Sequence, residues 1–178
     1  MPTSDLSLDN LLRAQKGSPT FVEKITKAFF VRPADTTQYG VNEVVGDGKV
    51  MHFPAAVSKN GGSGYIVKAR IMTNDPTTTS ALFRLLLYRF PPAAIADNAA
   101  KPLLWANRES GIGHIDFALS TEGTGSDAAN DLQTSVNLPF IAAPGDTGIY
   151  GLLVAKATFT PAANSTKYYI ELTTESFE

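Results

Sequence analysis

Cysteine is absent from the 178-residue chain, which excludes disulfides, thiolate metal ligands and a cysteine nucleophile. Histidine is almost as scarce, because His52 and His114 are the only two, and a zinc site needs three or four ligands. Folding must therefore depend on packing alone. A hydrophobic content of 43% is enough for one core in a chain of this length, and we expect a single main domain.

Charge of one sign and long hydrophobic runs are also missing. Fifteen basic residues oppose 17 acidic residues, and the basic ones are scattered along the chain. Nucleic acids and anionic membranes bind concentrated positive charge, so we expect neither as a partner. The longest apolar runs, such as Leu152–Ala155, fall far short of the roughly 20 residues that span a bilayer. Asp5 and Asp9 stand where a secretory signal would be basic, so we also expect no export signal.

Residues 1–20 differ in character from the rest, and we interpret them as an N-terminal arm or short helix that precedes a sandwich domain at 21–178. Gly17 and Pro19 indicate where such a helix would stop. A frayed terminus is one alternative, and an arm that packs back on its own sandwich is another. A helix this short rarely holds alone in water, so we predict that the apolar cluster of the arm binds a partner surface. That cluster consists of Leu6, Leu8, Leu11 and Leu12.

From Lys24 onward, short extended segments alternate with Gly, Pro, Asn and Asp clusters, a pattern typical of antiparallel sheets. The pattern predicts eight strands: Thr26–Val31, Lys49–Val57, Gly64–Thr73, Ala81–Phe90, His114–Leu119, Ser135–Phe140, Gly148–Thr160 and Lys167–Thr174. Turn signals and not helices separate them. We therefore predict an all-β fold of two packed antiparallel sheets, a jelly-roll-like β-sandwich.

Alternation within the strands predicts which residues meet in the core. One core should contain Phe83, Leu85, Leu87, Leu153 and Phe159. In the predicted strand Gly64–Thr73, the same period places four residues on the core face: Tyr65, Val67, Ala69 and Ile71. Pro139 has no N–H for a ladder, so its strand should be an edge or end in a bulge. Of the two long connections, Pro91–Gly113 carries Leu103, Leu104 and Trp105 and should fold back and pack, and Ser120–Asn130 should be exposed.

No familiar catalytic pattern is complete. Gly61–Gly64 resembles a nucleophile elbow, but Tyr65 replaces its last glycine, and a glycine-rich turn explains the stretch better. Gly46–Lys49 resembles the end of a phosphate-binding loop, but Val50 stands where Ser or Thr would bind magnesium. We therefore predict no enzyme, no catalytic residues and no cofactor.

Calcium binding is a weaker alternative at the loop around residues 120–130. Asp127, Asn130 and Asp131 offer oxygen ligands near two glycines, but their spacing matches no EF-hand. A solvated loop is the preferred interpretation, and binding of this loop to calcium or to a host surface stays open. We predict no required metal.

Five segments carry a resemblance to a known family: Arg32–Gly40, Gly61–Ile66, Phe83–Tyr88, Asn137–Phe140 and Tyr150–Ala155. Together they resemble small structural proteins of tailed bacteriophages that are encoded near the major capsid protein, some of which decorate or cement the head. The likeness covers roughly residues 29–173 and leaves the arm outside. These motifs are turns and strands, so the resemblance implies no catalytic residues.

The resemblance implies a capsid decoration protein that binds the outer surface of the phage head and stabilises the shell. Its partners would be the major capsid protein and further copies of itself, as a dimer or trimer. It would assemble in the host cytoplasm and reside in the virion. The alternative is a receptor- or carbohydrate-binding module of a phage fibre or tail. Copy number, symmetry axis and host stay open.

Overall fold

The computed structural model describes residues 21–78, 80–102, 104–121, 127–161 and 165–177. The predicted arm, residues 1–20, lies outside the described residues. Within the described ranges the regular structure is β, apart from two single-turn 3₁₀ helices, Pro76–Thr78 and Trp105–Asn107. None of the helices in these ranges has the length and hydrophobicity to cross a membrane. The all-β prediction is confirmed.

Nine strands form the described part of the fold: β1 Phe21–Val31, β2 Met51–Phe53, β3 Ser63–Thr73, β4 Leu82–Tyr88, β5 Gly111–Ala118, β6 Ala129–Gln133, β7 Leu138–Ile141, β8 Ile149–Ala155 and β9 Lys167–Phe177. They pair antiparallel in a nested order, β4 with β5, β3 with β6 and β7, β2 with β8, and β1 with β9. The chain is thus a folded ribbon of strand pairs.

The ribbon is rolled up because β9 also pairs with β3 and β8 also pairs with β4. Rolling produces two sheets. Sheet I has the order β1-β9-β3-β6, with β7 also on β3, and sheet II has the order β2-β8-β4-β5. Two sheets of this kind, built from nested antiparallel pairs, form a jelly roll, as the sequence predicts.

The core lies between the sheets and contains the predicted residues. Phe83, Leu85, Leu87 and Leu153 are buried, and Phe159 packs against them partly buried. The Phe83 ring meets the Phe159 ring edge-on at 5.1 Å. Full burial of each large apolar side chain contributes about 1.5–3 kcal/mol, so this cluster supplies much of the stability.

One predicted face of β3 is wrong over half its length. A β-bulge between Ile66 and Lys68 shifts the register against β9. An inserted residue exchanges the two faces of a strand. Ala69 and Ile71 are buried as predicted, but Tyr65 is exposed and Ile66 takes the inward position. Simple alternation does not account for the bulge.

Two strands that pair with β3 differ in how well the sequence predicts them. Pro139 lies in β7, which pairs only with β3, so its predicted edge position is confirmed. The strand β6 was not predicted, and its first two residues lie at the end of the stretch predicted to be a loop. Its sequence, Ala-Asn-Asp-Leu-Gln, has low strand propensity. Pairing with β3 from Ala69 to Thr73 nevertheless holds it in sheet I.

Candidate interaction surfaces

The outer face of sheet I carries large apolar side chains. In β1 the inward residues Thr26, Ala28 and Phe30 are buried, as expected for a sandwich strand. The outward positions should then be polar, because one face of an antiparallel sheet normally contacts water. Instead Ile25 is 59% exposed, and similar side chains lie across the face. We name this set the sheet I patch: Phe21, Ile25, Phe29, Leu132 and Tyr169.

The patch extends across the sheet and not along one strand. Phe29 of β1 lies opposite Tyr169 of β9, and their rings are 4.5 Å apart between centroids. Leu132 lies on β6, at the other edge of the same face. Apolar contact is therefore available over the width of sheet I.

Charged side chains are interspersed with the patch. Lys27 Nζ lies 3.0 Å from the Glu171 carboxylate, which joins β1 to β9. A depression of about 260 Å³ lies between Ile25, Arg70 and Leu132. In the described part of the chain, the buried Nε of Arg70 has no hydrogen-bond partner. The face thus combines apolar area with charges of both signs.

The outer face of sheet II is different, because several of its large apolar side chains are buried. Tyr88, Leu152 and Val154 alternate with core residues of β4 and β8 and so point away from the core, yet all three are buried. The β4–β5 connection, residues 89–110, passes over part of this face, where Lys101 Nζ lies 5.9 Å from the centre of the Tyr88 ring. Part of this face is therefore covered within the chain.

A buried polar network anchors the β4–β5 connection. The Tyr39 hydroxyl donates to Asp97 Oδ1 at 2.6 Å, and the Gly46 N–H donates to the same oxygen at 2.9 Å. The guanidinium of Arg32, whose side chain is fully buried, lies 3.5 Å from Asp97 Oδ2 and donates through Nε to the Tyr39 hydroxyl. Burial and the neighbouring Asp97 raise the pKa of Tyr39, so its hydroxyl stays a donor. The network is a structural anchor.

The histidines considered for metal binding are not brought together. His52 lies on β2 and His114 on β5, the opposite edges of sheet II. His52 instead stacks on Tyr150 with ring centroids 4.8 Å apart. Nowhere in the described ranges do three or more His, Asp or Glu side chains come close enough to hold a metal ion.

The remaining candidate residues have separate positions. Leu6, Leu8, Leu11 and Leu12 fall outside the described residues. The Asp131 carboxylate accepts hydrogen bonds from the Ala118 N–H and the Gln133 amide, both at 2.8 Å. The Pro91–Gly113 connection folds back as expected, but Trp105 does not pack, because 75% of its surface is exposed. Its single 3₁₀ turn lies at the surface of the connection.

No protein-family model matches this chain, and no curated protein matches it either. Among solved structures, one of tomato aspermy virus is 14% identical, with 94% of this chain and 92% of that chain covered and a TM-score of 0.29. A structure of turnip yellow mosaic virus is 7% identical, with 90% and 95% covered and a TM-score of 0.26. At TM-scores this low, these likenesses carry no argument about function.

Proposed function

We propose that this chain is a structural protein of a virus particle, and that it decorates the outer surface of a tailed-phage head. The sheet I patch is the observation that carries the proposal. Large apolar side chains gathered on one face among polar residues mark an interaction site, whereas apolar residues scattered singly over a surface do not. The five patch residues share one face of one sheet. The sequence resemblance supplies the class of partner, the major capsid protein of the head.

Decoration would stabilise the shell through thermodynamic linkage between binding and assembly. A protein that binds the assembled shell and not its free subunits stabilises the shell by mass action. A rigid jelly roll suits this role because its docking face is formed before binding, which lowers the ordering cost. Catalysis is not needed for this function.

Self-association belongs to the same proposal. The strand β1 is an edge of sheet I, and exposed edges are templates for pairing with another chain. It also carries three of the five patch residues. We propose a symmetric dimer or trimer on the head, assembled in the host cytoplasm, since proteins that act on symmetric lattices tend to be symmetric.

The test uses purified protein and expanded heads that lack decoration. Wild type should bind at a fixed, saturating copy number, measured by sedimentation of the heads. Replacing Ile25 and Phe29 together by serine should weaken binding by about tenfold or more, because buried apolar anchors dominate interfaces. Val41→Ser is the matched control, since Val41 is equally exposed but lies outside the patch. Equal binding by the double variant would contradict the proposal.

The arm is tested separately. We propose that Leu6, Leu8, Leu11 and Leu12 add contact with the shell, since residues 1–20 directly precede β1. Deletion of residues 2–18 should leave the melting temperature nearly unchanged and weaken binding to heads. If the deletion unfolds the protein, the arm is part of the core. Binding to cell-surface glycans without binding to heads would favour the alternative, a receptor- or carbohydrate-binding module.

A further inference from the structure

A positively charged cavity lies beside the exposed tryptophan. The cavity, of about 300 Å³, is bounded by the ends of β4 and β5 and by the β4–β5 connection. Its basic lining consists of Lys101, Arg108 and His114, with no carboxylate among the described residues that line it. Glu109 follows Arg108 in sequence but lines a different cavity. The local charge is therefore positive, although the chain as a whole is slightly negative.

The two permanent cations of this cavity stack on aromatic rings. Within the described ranges, no ion pair joins Lys101 or Arg108 to a carboxylate. Instead the Lys101 ammonium lies over Tyr88, and the Arg108 guanidinium lies 5.3 Å from the centre of the Trp105 ring. Such stacking orients a cation and leaves its N–H groups able to donate to a carboxylate. An arginine can bind a carboxylate through two such hydrogen bonds.

Exposed tryptophan is the second feature of this surface. Trp105 is 75% exposed, and its neighbour Leu104 is also exposed. Tryptophan, tyrosine and arginine are the residues that most often dominate the binding energy of protein interfaces. An indole beside a cationic cavity therefore offers an apolar anchor and a charge contact together.

The connection is held in place before any partner binds. The Asn98 N–H donates to the Val44 carbonyl at 2.9 Å, and the Lys101 N–H donates to the Asn42 carbonyl at 3.0 Å. On the other side of the cavity, the Arg108 N–H donates to the Trp105 carbonyl at 3.0 Å and closes the 3₁₀ turn. Because these bonds and the Asp97 network already order the backbone, little entropy remains to be lost on binding.

We propose that Lys101, Trp105 and Arg108 form a docking site for a carboxylate-rich segment of a partner protein. Carboxylates would contact the two cations, and an apolar side chain of the segment would cover the indole. A nucleic acid is the less favoured ligand, because binding to a phosphate backbone depends on many positive charges and this site offers two cations. The site lies on the sheet II side and goes beyond the proposed head binding, which uses sheet I.

The single tryptophan makes a direct test possible, because emission excited where the six tyrosines do not absorb reports only on Trp105. Titration with a hexaglutamate peptide should change the intensity or wavelength of this emission saturably, because the carboxylates bind the Arg108 guanidinium that lies against the indole, and a hexaglutamine peptide should not. Lys101→Gln combined with Arg108→Gln should weaken the hexaglutamate affinity by about tenfold or more. Lys59→Gln is the matched control, since Lys59 is exposed and does not line the cavity.

Three results would overturn the docking site: no response to hexaglutamate, an equal response to hexaglutamine, or unchanged affinity in the double variant with its circular dichroism intact. Tighter binding of a single-stranded RNA oligonucleotide with the same number of charges would also overturn it, in favour of a nonspecific polyanion surface. Failure of the protein to bind heads would leave this titration unaffected, so the two proposals fail independently.

Discussion

The two outer faces of the sandwich share a sequence pattern but differ in solvent exposure. In both sheets an outward row carries apolar residues, Ile25 and Phe29 in β1 and Leu152 and Val154 in β8. The β8 residues are buried, Leu152 at 1% exposure, whereas none of the described residues covers the β1 row. An apolar outward row thus indicates that something covers the strand, and only the three-dimensional structure tells whether the cover belongs to the same chain.

The contrast has a physical origin in the connections. Between β4 and β5 the chain makes a 22-residue excursion, from 89 to 110, and Asp97 ties this excursion to Tyr39 and Gly46. Sheet I has no comparable described excursion over its outer face. We propose that another molecule covers this face, which is why we place the head-binding proposal there.

Loss of the Asp97 carboxylate should have the largest effect on stability. Asp97→Ala removes the carboxylate that accepts from Tyr39 and lies against the buried Arg32 guanidinium. Removing one partner of a buried ion pair leaves the other charge uncompensated and costs about 3–5 kcal/mol. We expect a loss of this size in the free energy of unfolding, measured by urea denaturation.

Asp35 provides the control for that variant. Its carboxylate lies 3.4 Å from the same guanidinium, but 43% of its side chain is exposed. Asp35→Ala should therefore cost about 1 kcal/mol or less, because solvent screens an exposed pair. Equal losses for the two alanine variants would show that Asp97 is no special anchor.

The two outer faces can be compared directly by truncating one residue on each. Leu152→Ala should cost about 2–5 kcal/mol, since it creates a cavity at a buried position. Ile25→Ala should cost under about 1 kcal/mol in the isolated protein, since Ile25 is 59% exposed and has little packing to lose. The same urea titration measures both. A similar cost for both would mean that the β1 face is already covered in the free protein.

Regular strands could be predicted from the sequence, and irregular ones could not. Alternation placed Phe83, Leu85 and Leu87 in the core because β4 pairs with β8 without interruption. It failed at Tyr65, where a bulge reverses the faces, and at β6, where partner strand β3 and not local propensity decides the structure. Bulges and long-range pairing depend on neighbours that a single sequence does not identify.

Contacts between residues distant in sequence, and the exposure of single side chains, were harder to predict still. The contact between Arg32 and Asp97 joins residues 65 positions apart, and no spacing rule connects them. Trp105 was expected inside because large aromatic residues are usually buried. A signal for the sheet I patch existed, since Ile25 and Phe29 share one face of β1, but Phe30 beside them made the strand equally compatible with full burial.

The smallest expected effect compares the ion pairs of the two faces. On sheet II, Arg84 Nε donates to Asp116 Oδ1 at 2.7 Å, and Lys156 Nζ donates to Oδ2, also at 2.7 Å. On sheet I, Lys27 and Glu171 make one contact, and 64% of the lysine side chain is exposed. Two cations on one carboxylate should stabilise more than one. Asp116→Asn should cost about 1 kcal/mol or less at neutral pH, and Glu171→Gln still less, since every group involved is partly exposed.

The pH dependence identifies the cause of that small difference. Hydrogen bonds from Arg84, followed by those from Lys156, hold the pKa of Asp116 well below its usual value. A carboxyl whose pKa is lower in the folded state contributes stability above its unfolded pKa of about 4 and loses it as the pH falls toward the folded pKa. Protonated Asp116 resembles asparagine, so the gap between wild type and Asp116→Asn should narrow in acid. Urea titrations at about pH 7 and about pH 3 measure the gap, and a gap that stays constant or widens would assign the effect to packing and not to charge.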